Sequence, residues 1–178
     1  MTRPKRPLTP LDRAALERLA LRYVERYATT RGRLAAYLTR KIRECGWQGE
    51  RAADPAALAE KLAGLGYIDD RAFAESRATA MGRRGMGARR IGQALWHAGI
   101  EAEDAEAVAP VIAADTTTSA LAFARRRRIG PYAREVTDPK GLERQVGAMV
   151  RAGHAPALAW KIARMCPGDN AEELLGTD

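Results

Sequence analysis

The chain has 178 residues, 46% apolar and 29% charged, and its 30 Lys plus Arg against 22 Asp plus Glu leave a formal charge of +8. That apolar share is enough to build a core, which excludes global disorder, and the length suits one compact unit or a few small ones. Alanine outnumbers valine plus isoleucine by 36 to 13, too little β-branched material for a sheet, so an all-α chain is expected.

The first ten residues, MTRPKRPLTP, are basic and no hydrophobic stretch follows them, so 1–8 reads as a mobile arm and not as a secretory signal. Thr9-Pro10 pairs a capping side chain with a proline suited to the first helical position and predicts a helix over 10–28. A second helix is expected over 32–45, stopped by Gly46, and Asp54-Pro55 starts a third over 55–64. Asp69, with Ile68 before it and Phe73 inside the next helix, fits an N-cap with a hydrophobic staple and opens a helix over 70–84. Helices follow over 87–98, closed by Gly99, and over 102–114 and 117–128. The segment IGPYAREVTD (129–138) reads as a loop, Asp138-Pro139 starts a helix over 139–152 that Gly153 closes, and a last helix covers 155–165. Residues 167–178 read as a mobile tail. The longest apolar run, Val108 to Ala114, holds Pro110 and is far short of the ~20 residues of a membrane span.

The three stop glycines are 53 and 54 residues apart. Before each lies an amphipathic stretch with apolar positions at similar offsets: Leu34, Leu38 and Ile42, then Ala88, Ile91 and Leu95, then Leu142, Val146 and Met149. Arg31-Gly32 and Arg84-Gly85 stand at the same distance before the first two stops. A period of this length holds three helices, so three tandem three-helix repeats are expected over 9–68, 69–115 and 116–166, packed as an elongated, curved array.

Several clusters invite chemistry and have simpler explanations. Asp69 and Asp70 sit at a helix start, where carboxylates cap amides and suit the dipole. Gly82, Gly85 and Gly87 follow no strand and precede no Lys-Ser/Thr pair, so a turn between helices explains them better than a phosphate loop. That turn gathers Arg83, Arg84, Arg89 and Arg90, whose mutual repulsion an anionic partner would relieve. Arg125 to Arg128 spread around a helix end, and at least one should fold over apolar surface. Trp47, Trp96 and Trp160 read as core or inter-repeat packing, as do Tyr67, Ile68 and Phe73, and Cys45 reads as a buried small hydrophobe. With only Cys45, Cys166, His97 and His154, neither a disulfide framework nor a metal site is expected, and a reduced, cytoplasmic setting is. No nucleophile–base pair or cofactor fingerprint is evident, so no catalytic residues and no cofactor are assigned.

The stretch LAGLGYIDDRAFAESRATAMGRRGMGARRIGQALWHAGI (62–100) carries the most specific signal. Its Gly-Tyr-Ile-Asp-Asp opening (Tyr67, Ile68, Asp69, Asp70), Phe73-Ala74, Arg-rich helix end, Gly85-x-Gly87, Arg90-Ile91, Leu95 and closing Gly99-Ile100 resemble the central repeat of the RecX family, regulators of the RecA recombinase. Tandem three-helix units are also that family's organisation, so the resemblance extends more weakly over about 30–165; Ala94 and Ala98 depart from its usual charged residues. It implies a non-catalytic, monomeric modulator that binds RecA–single-stranded DNA filaments and limits their extension, ATP hydrolysis, strand exchange and co-protease activity. Basic helix surfaces near Arg77 to Arg90 would then meet the filament, with single- or double-stranded DNA as a further partner. The alternative is a helix-turn-helix-like nucleic-acid binder acting without RecA, with the fifth helix as reader.

Overall fold

The computed structural model describes residues 9–176, so the arm expected over 1–8 lies outside the described residues. The secondary structure among them is helical: nine α-helices, two 3₁₀ segments and no strand. The helices are α1 (Arg13–Arg26), α2 (Arg31–Cys45), α3 (Pro55–Gly64), α4 (Asp70–Arg83), α5 (Ala88–Trp96), α6 (Ala102–Ala114), α7 (Thr116–Arg127), α8 (Pro139–Arg151) and α9 (Pro156–Ala163). By packing the chain divides into two compact units, one running through Phe73 and taking in Ala98–Ile100, the other holding Ala74–His97 and the residues from Glu101 onward.

In the first unit α1 begins later than Thr9-Pro10 suggests. Asp12 is its cap and accepts from the Ala15 amide at 2.7 Å. The residues before it are committed elsewhere: Leu11 donates to the Gly46 carbonyl and accepts from the Gln48 amide, each at 2.9 Å, in an isolated bridge opposite Trp47. Residues bound to a neighbouring strand-like segment cannot also close a helical turn. Thr30 caps α2 by accepting from the Arg33 amide at 3.1 Å, and its hydroxyl also donates to the Ala98 carbonyl. Asp54 caps α3 on the Ala57 amide at 2.9 Å, with Pro55 behind it as expected. Leu16, Ala20, Leu34, Leu38, Ala59, Leu62 and Ile68 form the core. Its α2 members recur at the helical spacing of four, which puts them on one face. Where Ala98–Ile100 meets the start of α2 the backbones nearly touch: a Cβ on Gly32 would lie 2.8 Å from the Gly99 Cα. Cys45, expected to be buried, is only half-buried at the end of α2, beyond the Leu34–Leu38 stripe.

In the second unit the core is Ala120, Leu121, Phe123, Ala124, Ile129, Val146, Met149, Ala159, Ile162 and Ala163. α7 and α9 each bring both alanines and large side chains to this core, and α8 adds Val146 and Met149. Asp138 caps α8 on the Gly141 amide at 2.7 Å, again with a proline next. The expected loop 129–138 contains a 3₁₀ turn, Gly130–Tyr132. Part of the segment expected to be a mobile tail is folded: Ala171–Gly176 is a 3₁₀ helix and Ala171 is buried in the core. The expected stops, Gly46, Gly99 and Gly153, have φ of 88°, 72° and 101°, a region open to glycine at little cost.

Candidate functional site

The arginine-bearing turn between α4 and α5 is built by three short backbone bonds: Arg84 to Met81, Gly85 to Gly82 and Met86 to Met81. It is not a free loop. Gly85, at φ 70°, lies against α7, and a Cβ there would fall 2.7 Å from the Phe123 nitrogen. Gly87 faces the α8–α9 turn even more closely, with a Cβ 2.3 Å from the Gly153 carbonyl carbon. The Gly87 amide donates to the Ala152 carbonyl at 2.9 Å and the Arg89 amide to the Gly153 carbonyl at 3.2 Å. Two glycines therefore let the turn be clamped by backbone on both sides.

His154 completes the clamp. Its Nε2 lies 3.0 Å from the Gly85 carbonyl and its ring is tilted against Phe123 at 5.6 Å. Burial holds the imidazole below its usual pKa, against a smaller upward pull from the Gly85 carbonyl. His154 follows the stop glycine Gly153 directly, as Trp47 follows Gly46 and Ile100 follows Gly99, a position that signals an inward side chain.

On this frame Arg83, Arg84, Arg89 and Arg90 are all exposed, as is Arg77 on α4. Arg89 is partly committed, since its guanidinium donates to the Val150 carbonyl at 2.7 Å. Ile91 and Leu95 turn inward and are buried, which anchors α5. The opposite face carries Gln93, Trp96 and His97 outward. Trp96 was expected to pack inside; it is 74% exposed, with His97 edge-on at 4.8 Å. Positions 91, 95 and 98 take the buried stripe, so 96 falls on the far side of the helix. Trp47 and Trp160 are half-buried beside their cores, as expected. Of the arginine run, Arg125 lies over the Tyr132 ring at 5.1 Å and Arg127 near Phe123 at 5.9 Å.

The Gly-Tyr-Ile-Asp-Asp opening belongs to the first unit and is structural. Asp69 caps α4, accepting from the Ala72 amide at 2.8 Å. Asp70, also expected to cap, does something else: its buried carboxylate accepts from the backbone N–H and the Nε of Arg31, both at 3.0 Å. Ile68 is buried, Phe73 is half-buried under the Arg33 guanidinium at 5.1 Å, and Tyr67, expected to pack, is 52% exposed. Gly64 and Gly66 flank the Tyr67 segment and give it no side chain to rest on. Among the described residues no group of three or more His, Cys, Asp or Glu is placed to hold a metal ion. No single helix there is long and apolar enough to cross a membrane.

Comparison with known proteins bears on this arrangement. The family model described as RecX, second three-helix domain, matches residues 69–108, the stretch that builds α4, the turn, α5 and the first half of α6. The Regulatory protein RecX of Myxococcus xanthus is 32% identical over 171 residues, covering 89% of both chains. The chain belongs to the RecX family. The Regulatory protein RecX of Agrobacterium fabrum is 30% identical over 112 residues, covering 63% of this chain and 59% of its own. A crystal structure of RecX from Lactobacillus salivarius superimposes with a TM-score of 0.61 at 19% identity, over 84% of this chain and 92% of that one, which shows that the all-α fold is shared. Both of these relatives are named as regulatory proteins.

Proposed function

We propose that this chain is a non-catalytic modulator of RecA that binds RecA–single-stranded DNA filaments and limits their extension. ATP hydrolysis, strand exchange and co-protease activity then fall because less filament is present, with no chemistry by the regulator itself. The observation that supports this reading is the exposed guanidinium group at Arg83, Arg84 and Arg90, held on a turn whose backbone is clamped on two sides. A fixed cationic surface loses little entropy on meeting an acidic partner, and it speeds encounter with a negatively charged polymer. The exposed Trp96 lies on the same helix as Arg90 and has the character of an interface anchor. The protein is read as a cytoplasmic monomer that needs no cofactor for this role.

The test is a titration of the purified protein into cognate RecA–single-stranded DNA filaments, following ATP hydrolysis and filament length. Substoichiometric protein should lower both. Turnover and length that stay constant throughout the titration would end the reading.

A second reading, a helix-turn-helix-like DNA binder acting without RecA, draws on α5, which turns Arg89, Arg90 and Gln93 outward. Only Gln93 and His97 accompany the arginines as base readers, so sequence selectivity would be poor. Tight, sequence-selective duplex binding in the absence of RecA would favour it over the first.

A further inference from the structure

The first unit carries a second basic surface, unrelated to the central motif. Arg22, Tyr23 and Arg26 lie in the last two turns of α1 and Tyr27 follows them as its extended C-terminal cap; on α2, Arg33, Tyr37 and Arg40 share one face. Together these residues line a cleft of about 950 Å³. Leu16, Ala20, Leu34 and Leu38 close the contact between the two helices, and none of them lines the cleft. The cleft is lined by three tyrosines and four arginines, with Leu19 and Ala36 between them, and by no carboxylate.

The three tyrosines adjoin one another, two of them stacked. Tyr23 and Tyr37 stack at 4.3 Å with 24° between their planes, and Tyr27 follows at 5.2 Å, tilted by 54°. Tyr23 and Tyr37 lean on the core of the unit, which is a packing role. Tyr27 does not: it is 50% exposed at the open end of the stack. Arg26 lies over the Tyr27 ring at 5.5 Å and Arg40 over Tyr37 at 5.7 Å. Arg40 has an exposed ion pair with Glu44 at 3.7 Å, whereas no carboxylate lies within ion-pair distance of Arg22, Arg26 or Arg33 among the described residues.

We propose that this tyrosine–arginine cleft between α1 and α2 is a binding site for single-stranded nucleic acid, with an unstacked base on Tyr27 and backbone phosphates on Arg22, Arg26 and Arg40. Stacked aromatics flanked by cations are how sequence-tolerant single-strand sites work, because every base presents a π-face and every linkage a charge. A duplex keeps its base faces stacked inside and has none to offer Tyr27. An acidic peptide would meet the arginines but leave the aromatic platform without a planar ligand. The proposal rests on first-unit residues alone and does not depend on the RecA reading.

The test uses the full chain, without RecA, and the fluorescence anisotropy of a short labelled oligo(dT). Tyr27→Ala should weaken binding by about 5- to 150-fold, the usual range for losing one base–aromatic stack. Tyr27→Phe keeps the ring and should keep the affinity. An abasic strand of equal length should lose the same margin against wild type and nothing further against Tyr27→Ala. Arg26→Ala should reduce the salt slope by about 0.7, the value for one phosphate on a single strand. Arg43→Ala, on α2 but outside the cleft, should change the slope less. Circular dichroism of each variant separates lost binding from lost helix. No binding by wild type at low salt overturns the proposal, as do Tyr27→Ala or abasic strands that bind as wild type does. Displacement by poly-glutamate as effective as by unlabelled oligo(dT) also overturns it, in favour of an acidic-peptide groove.

Discussion

Removal of the Arg31 guanidinium should be among the most damaging single changes in the first unit. Asp70 keeps its side chain only 3% exposed, and two donors, the amide and the Nε of Arg31, hold it there at 3.0 Å. A buried carboxylate stripped of its cation costs about 3–5 kcal/mol, because the charge stays out of water with less to offset it. Two features pull the figure toward the low end: the backbone amide still donates, and the Arg31 side chain is 24% exposed, so water can reach part of the gap. A further contact of Arg31, to a Glu60 side chain 57% exposed at 3.3 Å, adds less than about 1 kcal/mol, as surface pairs do. Arg31→Ala should therefore lower the unfolding free energy by about 3 kcal/mol, a large share of a typical domain's stability. Asp70→Asn, which keeps the shape and loses the charge, should cost about 1–2 kcal/mol. In the Asn background Arg31→Ala leaves no stranded charge, so the two changes should be strongly sub-additive, coupled by about 1–3 kcal/mol. Urea unfolding of the four proteins at neutral pH measures this directly. A coupling below about 0.5 kcal/mol would refute the claim that the pair acts as a unit.

Gly87→Ala has no φ penalty to meet, since Gly87 lies at φ −80°, yet its methyl would sit 2.3 Å from the Gly153 carbonyl carbon. The clash should cost about 1–3 kcal/mol and lower Tm by about 2–12 °C on calorimetry. His154 is held below its usual pKa of 6.5 by burial, so the unfolded chain takes up the proton first. Its contribution should be fully present above pH ~6.5 and be lost as pH falls through the interval down to the lowered folded value, a slope in the urea midpoint that His154→Gln removes. Replacing Arg83, Arg84 and Arg90 with Ala should weaken the proposed inhibition of RecA while each change moves stability by no more than about 0.5 kcal/mol. Arg89 is left in place because it donates to Val150. A triple variant that inhibits fully would place the RecA contact elsewhere.

Local rules carried the helices, and non-local contacts account for the places where they failed. Asp54-Pro55 and Asp138-Pro139 cap α3 and α8 as their sequence suggests, since a side chain three residues from its amide needs nothing from the rest of the chain. Thr9-Pro10 has the same local character and does not start α1, because Leu11 is engaged with residues 46 and 48. Asp70 looks like a second capping carboxylate until Arg31, 39 residues away, is brought to it. The aliphatic stripe of α5 located Ile91 and Leu95 correctly, and the same periodicity applied to Trp96 would have placed it outside; the expectation of a core tryptophan followed residue type over spacing.

The candidate sites show the same division in a way that bears on function. The arginine turn was legible because its cations and glycines lie within eight consecutive residues, Arg83 to Arg90, where sequence proximity and spatial proximity coincide. The tyrosine–arginine cleft was not, although its parts are plain: Tyr23 and Tyr27 are four residues apart, the second just past the end of α1, and Arg33 and Tyr37 stand one helical turn apart on α2. Each stripe alone is an ordinary half-polar helix face. Only the packing of α1 on α2 through Leu16, Ala20, Leu34 and Leu38 turns the stripes toward each other and makes a surface with a property neither helix has. The apolar residues that stabilise the first unit are thus also the residues that set the spacing of its tyrosines. A core change such as Leu38→Ala, which opens the seam, should disturb base stacking at Tyr27 in proportion to the stability it removes, whereas exposed changes at Arg22 or Arg26 should alter binding and leave stability nearly untouched.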